Sequence, residues 1–168
     1  MRTKRILKFC DGVGVAFAAA LAFPAPLLAL SCPPQQFDSV WSRASQSEAS
    51  YVVVRGQFDF DPALNPEPDA TATGTKSTEF ISHFRGEVGG PDGFDKPVAL
   101  NLTVSVTCMA DACGRLEPRK DAIAFLREDG ETYVLETGPC GDFLFQPPLL
   151  RTEERLKECF AGAECPEE

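Results

Sequence analysis

Histidine, tryptophan and positive charge are scarce in this chain. Its 168 residues include one histidine, His83, one tryptophan, Trp41, and 16 lysines and arginines against 25 aspartates and glutamates. With one histidine, any serine or cysteine nucleophile has a single possible base, and no nucleophile motif surrounds it, which disfavours a hydrolase. A net charge of −9 opposes polyanionic partners. No apolar run reaches the roughly 20 residues of a comfortable membrane span. Internal repeats and coiled-coil heptads are absent, as is a Cys-x-x-Cys pair of the kind that supports thiol exchange.

The N-terminus has the three-part layout of an export signal. Arg2, Lys4, Arg5 and Lys8 precede an uncharged run over residues 13–23, which is followed by Pro24, Pro26 and the apolar residues 27–30. Residues 1–31 are therefore expected to be a secretory signal peptide. Small residues at Ala29 and Ser31 place the cut before Cys32, and Ala20-Leu21-Ala22 is a second site. Removal takes away Cys10, four cations and Asp11, leaving 12 basic and 24 acidic residues, net −12. About 137 residues remain (168 − 31), room for one domain over 32–168 but not two. A cysteine directly after the cut also fits a lipoprotein acylated on Cys32, although Ala29 and bulky Leu30 depart from the usual order before such a cysteine.

After Pro33-Pro34, the 3 and 4 spacing of Phe37, Val40, Trp41 and Ala44 predicts a short helix within residues 37–50. Residues 51–60 (YVVVRGQFDF) predict a strand with a bulge at Gly56. Residues 61–77 hold three prolines and almost no apolar side chain, and predict a long exposed loop. Residues 78–88 resume strand character until Gly89-Gly90-Pro91-Asp92-Gly93 breaks it. Over residues 98–108, Val98, Leu100, Leu102, Val104, Val106 and Cys108 alternate with smaller or polar residues, the signature of a strand with one buried face. Residues 121–127 and 132–136 flank an Asp129-Gly130 turn and predict a hairpin. Leu149, Leu156, Cys159 and Phe160 predict a closing helix over 149–160, stopped by Gly162 and followed by an acidic tail over 164–168.

Five antiparallel strands with a coiled first strand predict an all-β fold, a five-stranded OB-like Greek-key barrel with a short N-terminal and a C-terminal helix. An open meander or a sandwich satisfies the same pattern. The order of parts resembles the netrin-like domain, the module of the tissue inhibitors of metalloproteinases. Cys32 stands near the mature N-terminus before a helix, and Val53-Val54-Arg55-Gly56 forms a VxxG strand. Cys113-Gly114 follows the third strand, a hairpin carries Phe125-Leu126 and Tyr133-Val134-Leu135, and Gly138-Pro139-Cys140 precedes a helix with Cys159. In that family the α-amino group and carbonyl of an N-terminal cysteine chelate the zinc of a target protease while its sulfur lies in a disulfide. Cys32 is the residue that the resemblance assigns to this part. The family's second cysteine, two positions on, is replaced here by Pro34, and Pro33 follows Cys32 directly.

Six mature cysteines, Cys32, Cys108, Cys113, Cys140, Cys159 and Cys165, permit several pairings, and spacing alone does not choose among them. The preferred set joins Cys32 to Cys140 or Cys113, Cys108 to Cys113, and Cys159 to Cys165. Zinc binding by thiolates would need paired short spacings, and an exporting pathway oxidises such thiols. Asp59, Asp61, Asn65, Glu67 and Asp69 suggest a calcium loop, but Pro62, Pro66 and Pro68 interrupt the spacing that an EF-hand requires. Asn101-Leu102-Thr103 is a glycosylation sequon in a eukaryotic secretory pathway. Tyr51, Phe58, Phe60, Phe80 and Phe84 could stack nucleic-acid bases, yet the mature charge repels phosphate and the one basic cluster, Arg115, Arg119 and Lys120, lies beside Glu117 and Asp121.

The sequence therefore predicts a secreted or periplasmic, disulfide-bonded, monomeric binding module with no catalytic centre, no cofactor and no metal. Its expected partner is another protein, not nucleic acid, and a membrane only if Cys32 is acylated. The expected contact segments are the N-terminal segment from Cys32, the 61–77 loop and the 108–120 loop, which could meet at one end of the fold.

Overall fold

In the computed structural model, residues 31–162 and Cys165 are described. The expected leader up to residue 30, Cys10 and most of the acidic tail lie outside them. Among the described residues, seven strands and two short helices follow one another: α1 (Phe37–Ser45), β1 (Tyr51–Asp59), a 3-10 turn at Pro62–Leu64, β2 (Thr75–Gly90), β3 (Gly93–Met109), β4 (Ala112–Cys113), β5 (Asp121–Asp129), β6 (Thr132–Thr137), β7 (Leu144–Phe145) and α2 (Thr152–Phe160). The protein is mostly β-sheet.

All strands belong to one sheet, in the order β1-β2-β3-β6-β5-β7, with β4 beside β3 and a further pairing of β1 with β5. Each of the five long strands thus has at least two strand neighbours, and β3 and β5 have three. Neighbours are antiparallel except β3 and β6, which run parallel from Thr103↔Val134 to Val106↔Thr137. β1 is shared between two ladders. It pairs with β5 from Tyr51 to Gln57 and with β2 from Val54 to Asp59.

Gly56 sits where those ladders overlap, opposite Gly86 on one side and Ala122 on the other. A β-carbon on Gly56 would lie 2.2 Å from the Arg85 carbonyl oxygen, and one on Gly86 would lie 2.1 Å from that of Arg55. Only glycine lets these backbones approach so closely. The expected bulge at Gly56 is absent, because both registers run through it unbroken; the irregularity falls instead between Val88 and Gly89.

Alternation along the strands builds two cores. Val54, Phe58, Phe84, Val104, Ala124 and Leu126 belong to the cluster on one face, while Val53, Ile123 and Phe125 belong to the other. β5 feeds both, and its residues 122–126 are all buried. The second face is covered by Phe37, Val40 and Ala44 of α1, by Leu156 and Cys159 of α2, and by Phe145. Phe37 lies 5.4 Å from the Phe125 ring centre, so aromatic contact adds to the burial of the α1 stripe. Arg155 of α2 bonds both carboxylate oxygens of Asp38 on α1 and ties the helices together.

Several boundaries differ from the sequence reading. The stretch 89–93 does not interrupt the sheet: the β2–β3 ladder continues through Gly89↔Phe94 and Gly90↔Gly93, and Gly93 turns the hairpin at φ 105°. β2 begins at Thr75, shortening the expected loop, and two further strands of two residues each, β4 and β7, were not anticipated. α1 stops at Ser45, where the chain turns and the Ser47 hydroxyl accepts from the Ala49 N–H. α2 starts at Thr152 instead of residue 149, because Arg151 adopts a left-handed conformation. Leu149 is consequently outside the helix and exposed, as is Phe160 at its end, while Leu156 and Cys159 are buried. Phe58, Phe60, Phe80 and Phe84 are core residues, whereas Tyr51 is half-buried and packs against the helix-covered cluster.

Candidate functional site

The strand directions bring β1, β3 and β6 to their C-terminal ends on the same side of the sheet on which β2 and β5 begin. The N-terminal segment, the loop after β1 and the loop after β3 all emerge there. They form a continuous rim. Asn65 of the first loop donates through Nδ2 to the Leu116 carbonyl at 2.9 Å and accepts from the Leu116 N–H at 3.4 Å. The Ala110 N–H donates to the Gly74 carbonyl at 2.9 Å. Gly114 lies against the turn after β6, where a β-carbon would sit 2.7 Å from the Thr137 carbonyl oxygen and 2.9 Å from the Gly138 α-carbon. That turn holds Cys140.

Cys32 is joined to Cys140, the first of the two partners the sequence offered, and Cys108–Cys113 and Cys159–Cys165 complete the set. These three bonds suit an oxidising extracellular or periplasmic compartment. Gln35 Nε2 and Arg43 both donate to the Asp142 carbonyl at 2.7 Å, and the Arg43 guanidinium stands 4.6 Å from the Phe143 ring centre. Side chains and disulfide together fix the N-terminal segment to the 138–143 turn. Cys32 itself is exposed, beside a cleft of about 400 Å³ lined by Pro33, Pro34, Arg43, Cys140 and Asp142.

The remaining rim residues have local tasks. Asp61 accepts from the Ala63 N–H at 3.0 Å, and Asp69 accepts from the Thr71 N–H at 2.8 Å and its hydroxyl at 2.7 Å. The Thr71 bonds hold the Asp69 carboxyl below its ordinary pKa. Those oxygens, with Asn65 turned to Leu116, stabilise the loop's own turns and do not converge on a cation. Arg119 pairs with Asp59 at 3.3 Å, and Gln146 bonds the backbone of Glu117 and Lys120, so the basic cluster is braced by neighbours.

His83 lies away from the rim on the polar face of β2. Arg85 Nε, which can only donate, bonds His83 Nε2 at 3.1 Å, so the ring proton resides on Nδ1 and is donated to Asn101 Oδ1 at 3.0 Å. The sequon asparagine is thus a partner of the sole histidine. Among the described residues, the one grouping of three metal-capable side chains is Asp38 with Cys159 and Cys165. Its two sulfurs are bonded to each other and its carboxylate to Arg155.

Sequence reasoning missed an apolar groove near the start of β1, because its lining comes from segments far apart in the chain: Trp41, Ala49, Tyr51, Val88 and Phe160. Compared with known proteins, the chain matches no family model, no curated sequence and no solved structure.

Proposed function

We propose that the protein is an exported binding module without a catalytic centre, built on a five-stranded OB-type barrel and engaging another protein through the rim around Cys32–Cys140. The barrel reading is supported by the circuit of pairings, in which β1, β2, β3, β6 and β5 each have at least two neighbours and β1 meets both β2 and β5. The observation that carries the binding reading is the convergence of three non-regular segments at one end, cross-tied by Asn65–Leu116, Gly74–Ala110 and the Cys32–Cys140 bond. Loops braced in this way lose little entropy on binding, which favours recognition by a preformed surface. The sole histidine is occupied by Arg85 and Asn101, and the six mature cysteines are in disulfides, which supports a role in binding over catalysis.

The test places a photo-crosslinking residue at Gln36 or Glu67 on the rim and, separately, at Lys96 on the opposite end, in the protein exported by its native cells. Rim positions should yield a covalent adduct of one defined mass, lost when Cys32 and Cys140 are both replaced by serine. No adduct from the rim, or equal adducts from Lys96, would refute the reading.

A second reading follows from the resemblance to the metalloproteinase inhibitors and is favoured by one observation. The Cys32 sulfur is held by Cys140 while the residue stays exposed at the rim. An uncapped Cys32 would then offer its α-amino group and carbonyl to a protease zinc, and one alanine inserted before Cys32 would abolish inhibition. The lipid-anchored alternative competes for the same atom, since a sulfur in a disulfide cannot carry a thioether-linked lipid.

A further inference from the structure

The second core is covered by α1 and α2 but is not sealed by them. Where both helices end, beside the start of β1, a groove of about 470 Å³ opens onto it. Val53 and Phe125 of that core line the groove together with Trp41, Tyr51, Val88 and Phe160.

The polar groups of the lining are few and engaged within the chain. No charged side chain is among them. The Ser45 hydroxyl donates to the Ser42 carbonyl at 3.0 Å, and the Ser47 hydroxyl oxygen accepts from the Ala49 N–H at 3.1 Å. Val53 is paired with Phe125 on one side, and on the other its carbonyl oxygen faces Gly89, whose β-carbon would stand 3.3 Å from it. An added peptide strand therefore finds no edge here.

Ring surface is what the groove leaves uncovered. Trp41 meets Phe160 edge-on at 5.0 Å and Phe125 at 6.3 Å, and Tyr51 stacks on Phe143 at 4.9 Å. Even so, Trp41 and Tyr51 are only half-buried and Phe160 is 41% exposed. Further rings extend such an array by offset or edge contact. An ion entering the groove would lose its hydration without gaining a partner. A second copy of the chain would bring its own net charge of −9 against a surface of the same sign.

We propose that this groove binds a small neutral aromatic molecule of two or three rings, which lies against Trp41, Tyr51 and Phe160 and completes the second core over Val53 and Phe125. The volume falls in the range of small-molecule sites, roughly 300–1,000 Å³. None of the residues that cross-tie the Cys32–Cys140 rim lines the groove, so the site does not depend on the rim's function.

Trp41 is the only tryptophan, so its emission reports on the groove. One probe is N-phenyl-1-naphthylamine, which is neutral; the other is 8-anilinonaphthalene-1-sulfonate, which has the same three rings and one negative charge. Both are titrated into the exported protein in salt high enough to screen its net charge. The neutral probe should bind at one site per chain, quench Trp41 emission saturably, and bind at least about tenfold tighter than the sulfonate. Phe160→Ala, which removes one ring wall, should weaken it about threefold or more. Ala49→Phe, which puts a ring into the groove, should abolish it, with far-ultraviolet circular dichroism unchanged in both variants. Ile81→Ala, at an exposed apolar residue outside the lining, should leave it unaltered. Absence of saturable binding, equal affinity for the two probes, or a loss from Ile81→Ala as large as that from Phe160→Ala overturns the proposal. A Trp41 emission that changes on dilution of the protein alone, alongside a dimer in sedimentation, assigns the groove to a second copy of the chain and also overturns it.

Discussion

Replacing both Cys32 and Cys140 with alanine should destabilise this protein more than removing either other disulfide. The difference follows from the lengths of chain that the bonds close. Cys32–Cys140 spans 108 residues, whereas Cys108–Cys113 and Cys159–Cys165 span 5 and 6. Restriction of the unfolded chain gives about 4.7 kcal/mol for the long loop and about 2.2 kcal/mol for the short ones. For a domain of this size those values lower the thermal midpoint by roughly 15 °C and roughly 8 °C respectively. The comparison with Cys108→Ala/Cys113→Ala is the cleaner one, since Gly114–Thr107 and Ala110–Gly74 backbone bonds keep that hairpin in place without its sulfurs. The assay is thermal and guanidinium unfolding of each double variant under oxidising conditions, with reduced wild type as reference. Equal losses for the two variants, or a larger loss for the short loop, would refute the reasoning.

Gly56→Ala should destabilise by about 3 kcal/mol or fail to fold, because its β-carbon meets the Arg85 carbonyl and the Gly86 α-carbon, both backbone; denaturant midpoints against wild type check this. Leu156→Ala, which removes a fully buried side chain between α2 and the sheet, should cost about 2–5 kcal/mol by the same measurement. The Tyr51 hydroxyl has its pKa raised above the ordinary value, first by burial and then by nearby Glu136. Its stabilisation is therefore complete below the unfolded-state tyrosine pKa and is lost as pH rises through the folded value, so Tyr51→Phe should flatten the alkaline limb of the stability profile. Glu153 runs the other way: bonds from Lys157 and then Arg55 lower its pKa, so its contribution is present above the ordinary carboxylate range and lost as pH falls through the lowered value. Glu153→Gln should remove part of the acid-side loss, seen as a smaller fall in melting temperature on acidification.

The strand content was legible wherever a two-residue period met a single buried face. Residues 102–108 alternate in burial as their sequence does, and Asp129-Gly130 turns the β5–β6 hairpin. β5 was harder to read for its side, because residues 122–126 are buried on both faces and alternation carries no information there. Gly56 was legible as a special position but not as to kind: a close approach of two strands and a bulge both demand glycine, and only the register separates them. β4 and β7 have two residues each, too short for any periodic signal. The rim was partly legible, since proline, glycine and acidic residues mark its loops, and the Cys32–Cys140 bond was one of two pairings considered. The groove was not, because Trp41, Val88 and Phe160 meet only through the packing of α1, β2 and α2.

The central claim is tested most directly by a non-reducing peptide map of the exported protein, read by mass with its N-terminus determined. The account predicts a chain beginning at an unmodified Cys32, one peptide pair linking Cys32 to Cys140, and no free thiol. Acyl mass on Cys32, a Cys32–Cys113 link, or thiols that alkylate without reduction would contradict it.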